Sequence, residues 1–218
     1  MSERKRIGAK KKFREPLSHE RIVTAAFALV DRHGLTAFST RQLAAALGCE
    51  AMSVYHYFPS RAHLFDAMID RCIGEMPVAA SGEAWIERLR RVSFDYRAMA
   101  LRHPGFFPFF AVHRLNTRAA LAWLDSVLQI FEDGGLDAGT QARQFRMLAY
   151  YVVGACLDET SGYAKGPTAA EKVPDAEVER SFPAIVAVGP FFQPQHHLRT
   201  FEAGLEVVLA GIRNSRKR

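Results

Sequence analysis

The side chains best suited to chemistry in this 218-residue chain crowd into one stretch, FSTRQLAAALGCEAMSVYHYFPSR, from Phe38 to Arg61. On a 3.6-residue period Met52, Ser53 and His56 share one face, opposite Ala51, Val54 and Phe58, with Tyr55 and Tyr57 flanking the outer side. Thr40, Arg41 and Arg61 stand close by and add a hydroxyl and two guanidinium groups. Hydrogen-bond donors, acceptors and one flexible apolar tip make a surface for contact. A helix that buries so little and displays Ser, His and two Tyr is built to touch something.

The elements that must position these groups are written into the same run. Ser39 sits at an N-cap with Gln42 three residues on, a capping box, and Phe38 and Leu43 occupy the staple positions. Leu43, Ala44 and Leu47 form the inner stripe, and Gly48 ends the helix as a left-handed C′ residue would. A second helix begins near Glu50, which is expected to cap it. Two helices this short, joined by a Gly turn, are the helix-turn-helix pattern. A preceding helix from about Ser18 to His33 carries Ile22, Ala26, Leu29 and Val30 toward Leu43, Leu47, Val54 and Phe58, a small three-helix core. A fourth opens at Ser60 after Pro59, turns Leu64, Phe65, Met68 and Ile69 to one side, and ends before Pro77.

The run from about Ser18 to Ile69 resembles the DNA-binding domain of the tetracycline-repressor (TetR) family. The matching residues are Ser39-Thr40-Arg41, Leu43-Ala44, Leu47-Gly48, Val54-Tyr55-His56-Tyr57-Phe58-Pro59-Ser60-Arg61 and Leu64. Tyr57 stands where the family usually has His, and Arg61 where it has Lys; both keep a hydrogen-bond donor. The resemblance implies binding to double-stranded DNA. Arg41 then suits a bidentate contact to a guanine edge or a phosphate clamp, Ser53 and His56 suit base edges, and Met52 suits a thymine methyl. Thr40, Tyr55, Tyr57 and Arg61 suit phosphates, which set register.

Charge qualifies this reading. The net +6 is concentrated in residues 1–17, a flexible arm with Arg4, Lys5, Arg6, Lys10, Lys11, Lys12 and Arg14, and in the tail with Arg213, Arg216, Lys217 and Arg218. The residues between are net acidic, so the reading head is not strongly basic, and the arm is expected to add salt-dependent DNA affinity. Cys49, Cys72 and Cys156 share no metal or disulfide spacing and suggest structural thiols in a reducing compartment. No apolar run is long enough to span a bilayer and no signal-peptide core follows the basic start, so a cytoplasmic protein without a membrane partner is expected.

Residues 76–83, MPVAASGE, divide a DNA-binding domain (18–75) from a C-terminal regulatory and dimerisation domain (76–218). Beyond them the pattern is helical throughout, giving an all-α fold. Trp85, Leu89, Val92, Tyr96 and Met99 make one amphipathic stripe, and Phe106, Phe107, Phe109 and Phe110 crowd a Pro-interrupted connection. Helices follow at about 117–132, 140–161 and 197–213, with GYAKGPTAAEKVPDAEVE read as a loop or lid. The resemblance implies that the last two long helices pair with a second subunit, and the many apolar faces of the long helix agree with a homodimer. It also implies a small-molecule effector. Tyr96, His103, Phe107 and Phe110, then His113, Asn116, Tyr150 and Glu159, are the candidates for an apolar wall with a few polar groups. Two other classes stay open: a non-specific DNA-binding protein relying on its arms, and a helical-bundle enzyme using His103, His113, Asp158 and Glu159. Against the enzyme, the sequence has no Glu-x-x-His pair, nucleophile elbow or phosphate loop, so no cofactor and no metal are expected.

Overall fold

The computed structural model describes residues 16–78, 82–161 and 169–215, and every regular element among them is helical. The basic arm up to residue 15, residues 162–168 of the expected loop and the last three residues lie outside the described set. The first half contains α1 (His19–His33), α2 (Thr40–Leu47), α3 (Ala51–Tyr57) and α4 (Arg61–Gly74). Ser18, Ser39 and Ser60 cap α1, α2 and α4, each hydroxyl accepting a backbone N–H of the first turn. The Ser39 box closes through side chains: Ser39 Oγ accepts the Gln42 N–H at 3.2 Å and donates to Gln42 Oε1 at 2.9 Å.

Gly48 takes the left-handed conformation, φ 69° and ψ 32°. Its N–H bonds to the Ala45 carbonyl and that of Cys49 to Ala44, the paired closure of a Schellman motif. This turn reverses the chain between α2 and α3. Glu50 precedes α3 but makes no side-chain cap, contrary to expectation, so its carboxylate stays on the outside.

The second half contains α5 (Trp85–Arg102), α6 (Phe107–Val112), α7 (Arg118–Asp133), α8 (Ala138–Ser161), α9 (Asp175–Ser181), α10 (Pro183–Val188) and α11 (His197–Asn214), with two 3₁₀ turns before α11. The phenylalanine run expected as a connection is a helix, because Pro108 sits in its first turn, where no intrahelical N–H is needed. The end of the expected loop folds into α9, and α10 follows beyond it; neither helix buries a residue. α8 lies at the centre, packed on α5, α6, α7 and α11. Gly204 lets α11 approach Tyr151 of α8 so closely that a Cβ would clash with the ring. The small residue serves a contact inside the subunit.

The halves are stitched together. The Gly105 N–H donates to Asp31 Oδ1 at 2.9 Å, and His103 stacks on Phe27 at 4.1 Å. Glu75 accepts from Arg102 at 2.7 Å and lies 2.9 Å from His103 Nε2. One buried apolar cluster runs from Ile22 to Ile212. All three cysteines are free, and burial pushes the Cys156 thiol up to about 12, which fits the structural role expected of it.

Candidate functional site

On α3, Val54 is buried against the three-helix core while Met52 is 63 % exposed. Tyr55 and His56 are exposed with it, Ser53 is half-buried, and Arg41 projects from the first turn of α2 beside a half-buried Thr40. The two short helices therefore present the expected hydroxyl, guanidinium, imidazole and thioether groups outward, held by a core that fixes their spacing.

Two expected contact residues are instead drawn into the domain's own packing. Tyr57 donates its hydroxyl proton to the Leu17 carbonyl at 2.7 Å, with its ring edge-on to His19. With that proton committed, the side chain anchors α3 to the chain entering α1. Arg61 donates to the Leu35 carbonyl at 3.2 Å, and its guanidinium lies 4.8 Å from the Phe65 ring centre and 5.5 Å from that of Phe38. Cation–π packing and a carbonyl aim it at the α1–α2 connection.

The eight effector candidates separate into distinct places. Tyr96, Phe110 and His113 do share a cavity of about 170 Å³ between α5, α6, α7 and α8. Helix α5 adds Val92 and Ser93 to its wall, α7 adds Trp123 and Val127, and α8 adds Phe145, Leu148 and Val152. Phe107 is fully buried behind this wall, edge-on to Tyr96 at 5.7 Å. His103 belongs to the joint between the halves, and Asn116 is exposed in the turn before α7. Tyr150 and Glu159 border a different groove of about 460 Å³ beside α11, where Glu159 is bound by Arg97 at 2.8 and 2.6 Å. His103, Phe107, Asn116, Tyr150 and Glu159 thus lie outside the cavity, held away by packing, by prior pairing or by their place on the surface.

Inside the cavity the polar groups are few. The Ser93 hydroxyl donates to the Leu89 carbonyl at 2.8 Å. Burial pushes the Tyr96 hydroxyl well above the usual tyrosine range, so it stays a neutral phenol. Nδ1 of His113 is buried without a hydrogen-bond partner. A buried imidazole nitrogen left unpaired beside an apolar void suits an incoming polar group. Trp123, which sequence reasoning missed, lines the cavity and donates its indole N–H to the Met76 carbonyl at 2.9 Å, just past the end of α4. Its signal was the amphipathic side chain itself, since a buried indole N–H usually finds a partner. Nearby, Thr117 at the cap of α7 donates to Asp70 of α4.

Of the four groups of the enzyme reading, Asp158 and Glu159 border one groove beside α11, while His103 lies at Glu75 and His113 in the α5–α8 cavity, so they do not converge. Among the described residues no group of three or more His, Cys, Asp and Glu is placed to hold a metal ion. None of the helices among them is long and apolar enough to cross a membrane.

An exposed helix-turn-helix face and a separate cavity bonded to the helix behind it define a DNA-binding regulator. The family profile "Bacterial regulatory proteins, tetR family" matches residues 22–68, and "Tetracyclin repressor-like, C-terminal domain" matches residues 77–216. The chain belongs to the TetR family of transcription regulators. It is 30 % identical over 145 residues to the HTH-type transcriptional repressor DrrR1 of Streptomyces coeruleorubidus, a match covering 66 % of this chain and 54 % of that one. The tetracycline repressor class A from transposon 1721 of Escherichia coli is 25 % identical over 205 residues, 89 % of this chain and 90 % of that one. A possible TetR family regulator from Streptomyces coelicolor A3(2) superposes with a TM-score of 0.73 at 26 % identity, over 91 % of this chain and all of that one.

Proposed function

We propose that this chain is a repressor that binds a pseudo-palindromic operator as a homodimer and lets go when a small molecule enters the α5–α8 cavity. The observation that carries the reading is Trp123, at once a wall of that cavity and a hydrogen-bond donor to the Met76 carbonyl, two residues past the end of α4. A ligand seated against Trp123 acts on the joint that sets the angle of the reading head. If it prefers the state in which the two heads no longer match successive major grooves, DNA affinity falls by that preference.

Arg41, Ser53 and His56 read base edges, Met52 meets a thymine methyl, and Thr40 and Tyr55 hold phosphates. The N-terminal arm supplies the salt-dependent attraction in the cytoplasm, where the DNA is. Support for the dimer comes from α8 and α11. Tyr150 is 69 % and Val207 73 % exposed, and Gly154 of α8 has open space where a Cβ would stand, room for a partner helix.

Genomic fragments selected by the purified chain and sequenced test the reading. The selected set should share a two-fold-symmetric motif with half-sites about one helical turn, or a multiple of it, apart. A set with no shared motif would leave only non-specific DNA binding.

A further inference from the structure

Resting on that assignment of the cavity, we infer that the effector is a neutral single-ring aromatic molecule carrying a hydroxyl, such as a substituted phenol. Size sets the first limit. At about 170 Å³ the cavity resembles engineered cavities of about 150 Å³ that hold benzene, so one ring with a short substituent fits. A fused four-ring molecule would have to displace the walls or project out through the mouth of the cavity. Charge sets the second. Among the described residues that line the cavity there is no Asp, Glu, Lys or Arg, so a charged ligand would lose its hydration with no permanent counter-charge and only the His113 imidazole to answer it. The aromatic walls, Tyr96, Phe110, Trp123 and Phe145, favour a ring offset-stacked or edge-on among them.

The hydroxyl follows from His113. Its Nδ1 is buried and unpartnered, while Ser93 has already donated its proton to Leu89 and the remaining polar side chain of the wall, Tyr96, keeps its own hydroxyl proton. A hydroxyl can donate to Nδ1 when the proton sits on Nε2, and can accept from it when the proton sits on Nδ1. A carbonyl serves only one of those tautomers. A hydroxyl therefore satisfies the orphaned nitrogen in either state.

Titrations of the full chain by calorimetry and tryptophan fluorescence with 4-methylphenol, toluene, benzoate and tetracycline decide the matter. The expected result is 4-methylphenol binding about tenfold tighter than toluene, the scale of one buried hydrogen bond, with benzoate and tetracycline not bound. His113→Phe should erase the preference for the hydroxyl while toluene still binds. Val127→Trp, which fills the cavity, should abolish binding of both, with Val127→Phe substituted if its helicity falls. Equal affinity for toluene and 4-methylphenol, binding of benzoate or tetracycline, or no single-ring binding at all would overturn the inference. The underlying assignment has its own readout. If a larger compound releases the selected DNA and Val127→Trp blocks the release, the cavity stands and the single-ring class falls. If release by any compound persists in Val127→Trp, the effector lies elsewhere and both fall.

Discussion

Tyr55 and Tyr57 sit on the same short helix, two residues apart, yet Tyr55 is exposed while the Tyr57 hydroxyl is paired within the domain. The helical period leaves both on the flank of the outer face, and nothing in their types separates them. What separates them is Leu17, whose carbonyl lies 2.7 Å from the Tyr57 hydroxyl across forty positions of chain. Long-range pairing of that kind leaves no mark in local spacing, and the same is true of Arg61 over Phe65. Two substitutions therefore diverge. Arg41→Ala should cut affinity for the selected DNA by about tenfold or more, roughly 1–3 kcal/mol, with no change in thermal midpoint. Tyr57→Phe should lower stability by about 1 kcal/mol in urea unfolding, through the lost hydrogen bond, while leaving that affinity nearly unchanged. A Tyr57→Phe variant that folds normally and fails to bind DNA would return the residue to the DNA surface.

At the scale of elements, caps and stripes were legible because they are local. Ser18, Ser39, Ser60 and Thr117 cap α1, α2, α4 and α7, and Gly48 ends α2 in the left-handed form. Gly48→Ala should cost about 1 kcal/mol in the same unfolding measurement, since a Cβ is strained at φ 69°. Less legible were α6, α9 and α10, whose short apolar runs have no clear period, and the joint at Glu75. Burial there works to raise the Glu75 carboxyl, but hydrogen bonds from His103 and Arg102 outweigh it and hold the group below the usual glutamate range. A carboxyl depressed in the folded state contributes stability above its unfolded value, near about 4.3, and loses it as pH falls through the lower folded value. Glu75→Gln should therefore lower stability at neutral pH and flatten its fall on acidification, read as urea midpoints between neutral and acid pH. Parallel acid limbs in variant and wild type would contradict this role for Glu75.

For the whole molecule, the order of the longer helices, α1, α2, α4, α5, α7, α8 and α11, was written in periodicity. The cavity was not. Val92, Val127, Phe145, Leu148 and Val152 carry the same stripes whether they close on one another or around a void, because the pattern records what faces inward and not what fills the space. Of the effector candidates, Tyr96, Phe110 and His113 reach it and the others are held elsewhere by packing, pairing or exposure. Association should be sensitive to α8 and α11 together. Tyr150→Glu with Val207→Arg, both on exposed positions, should shift the chain toward monomer in sedimentation while keeping its helicity, and should weaken DNA binding by losing one of two heads. An unchanged sedimentation coefficient would place the subunit contact on another face.

The most direct test of the central claim is the equilibrium affinity of the full chain for its selected DNA motif and for a scrambled copy, each at low and physiological salt. A sequence-reading face predicts a preference of about a thousandfold or more that persists at physiological salt, while both affinities decline as salt rises. Equal affinities that vanish together with salt would contradict it, leaving the basic arm, and not the face of Arg41, Ser53 and His56, as the agent of binding.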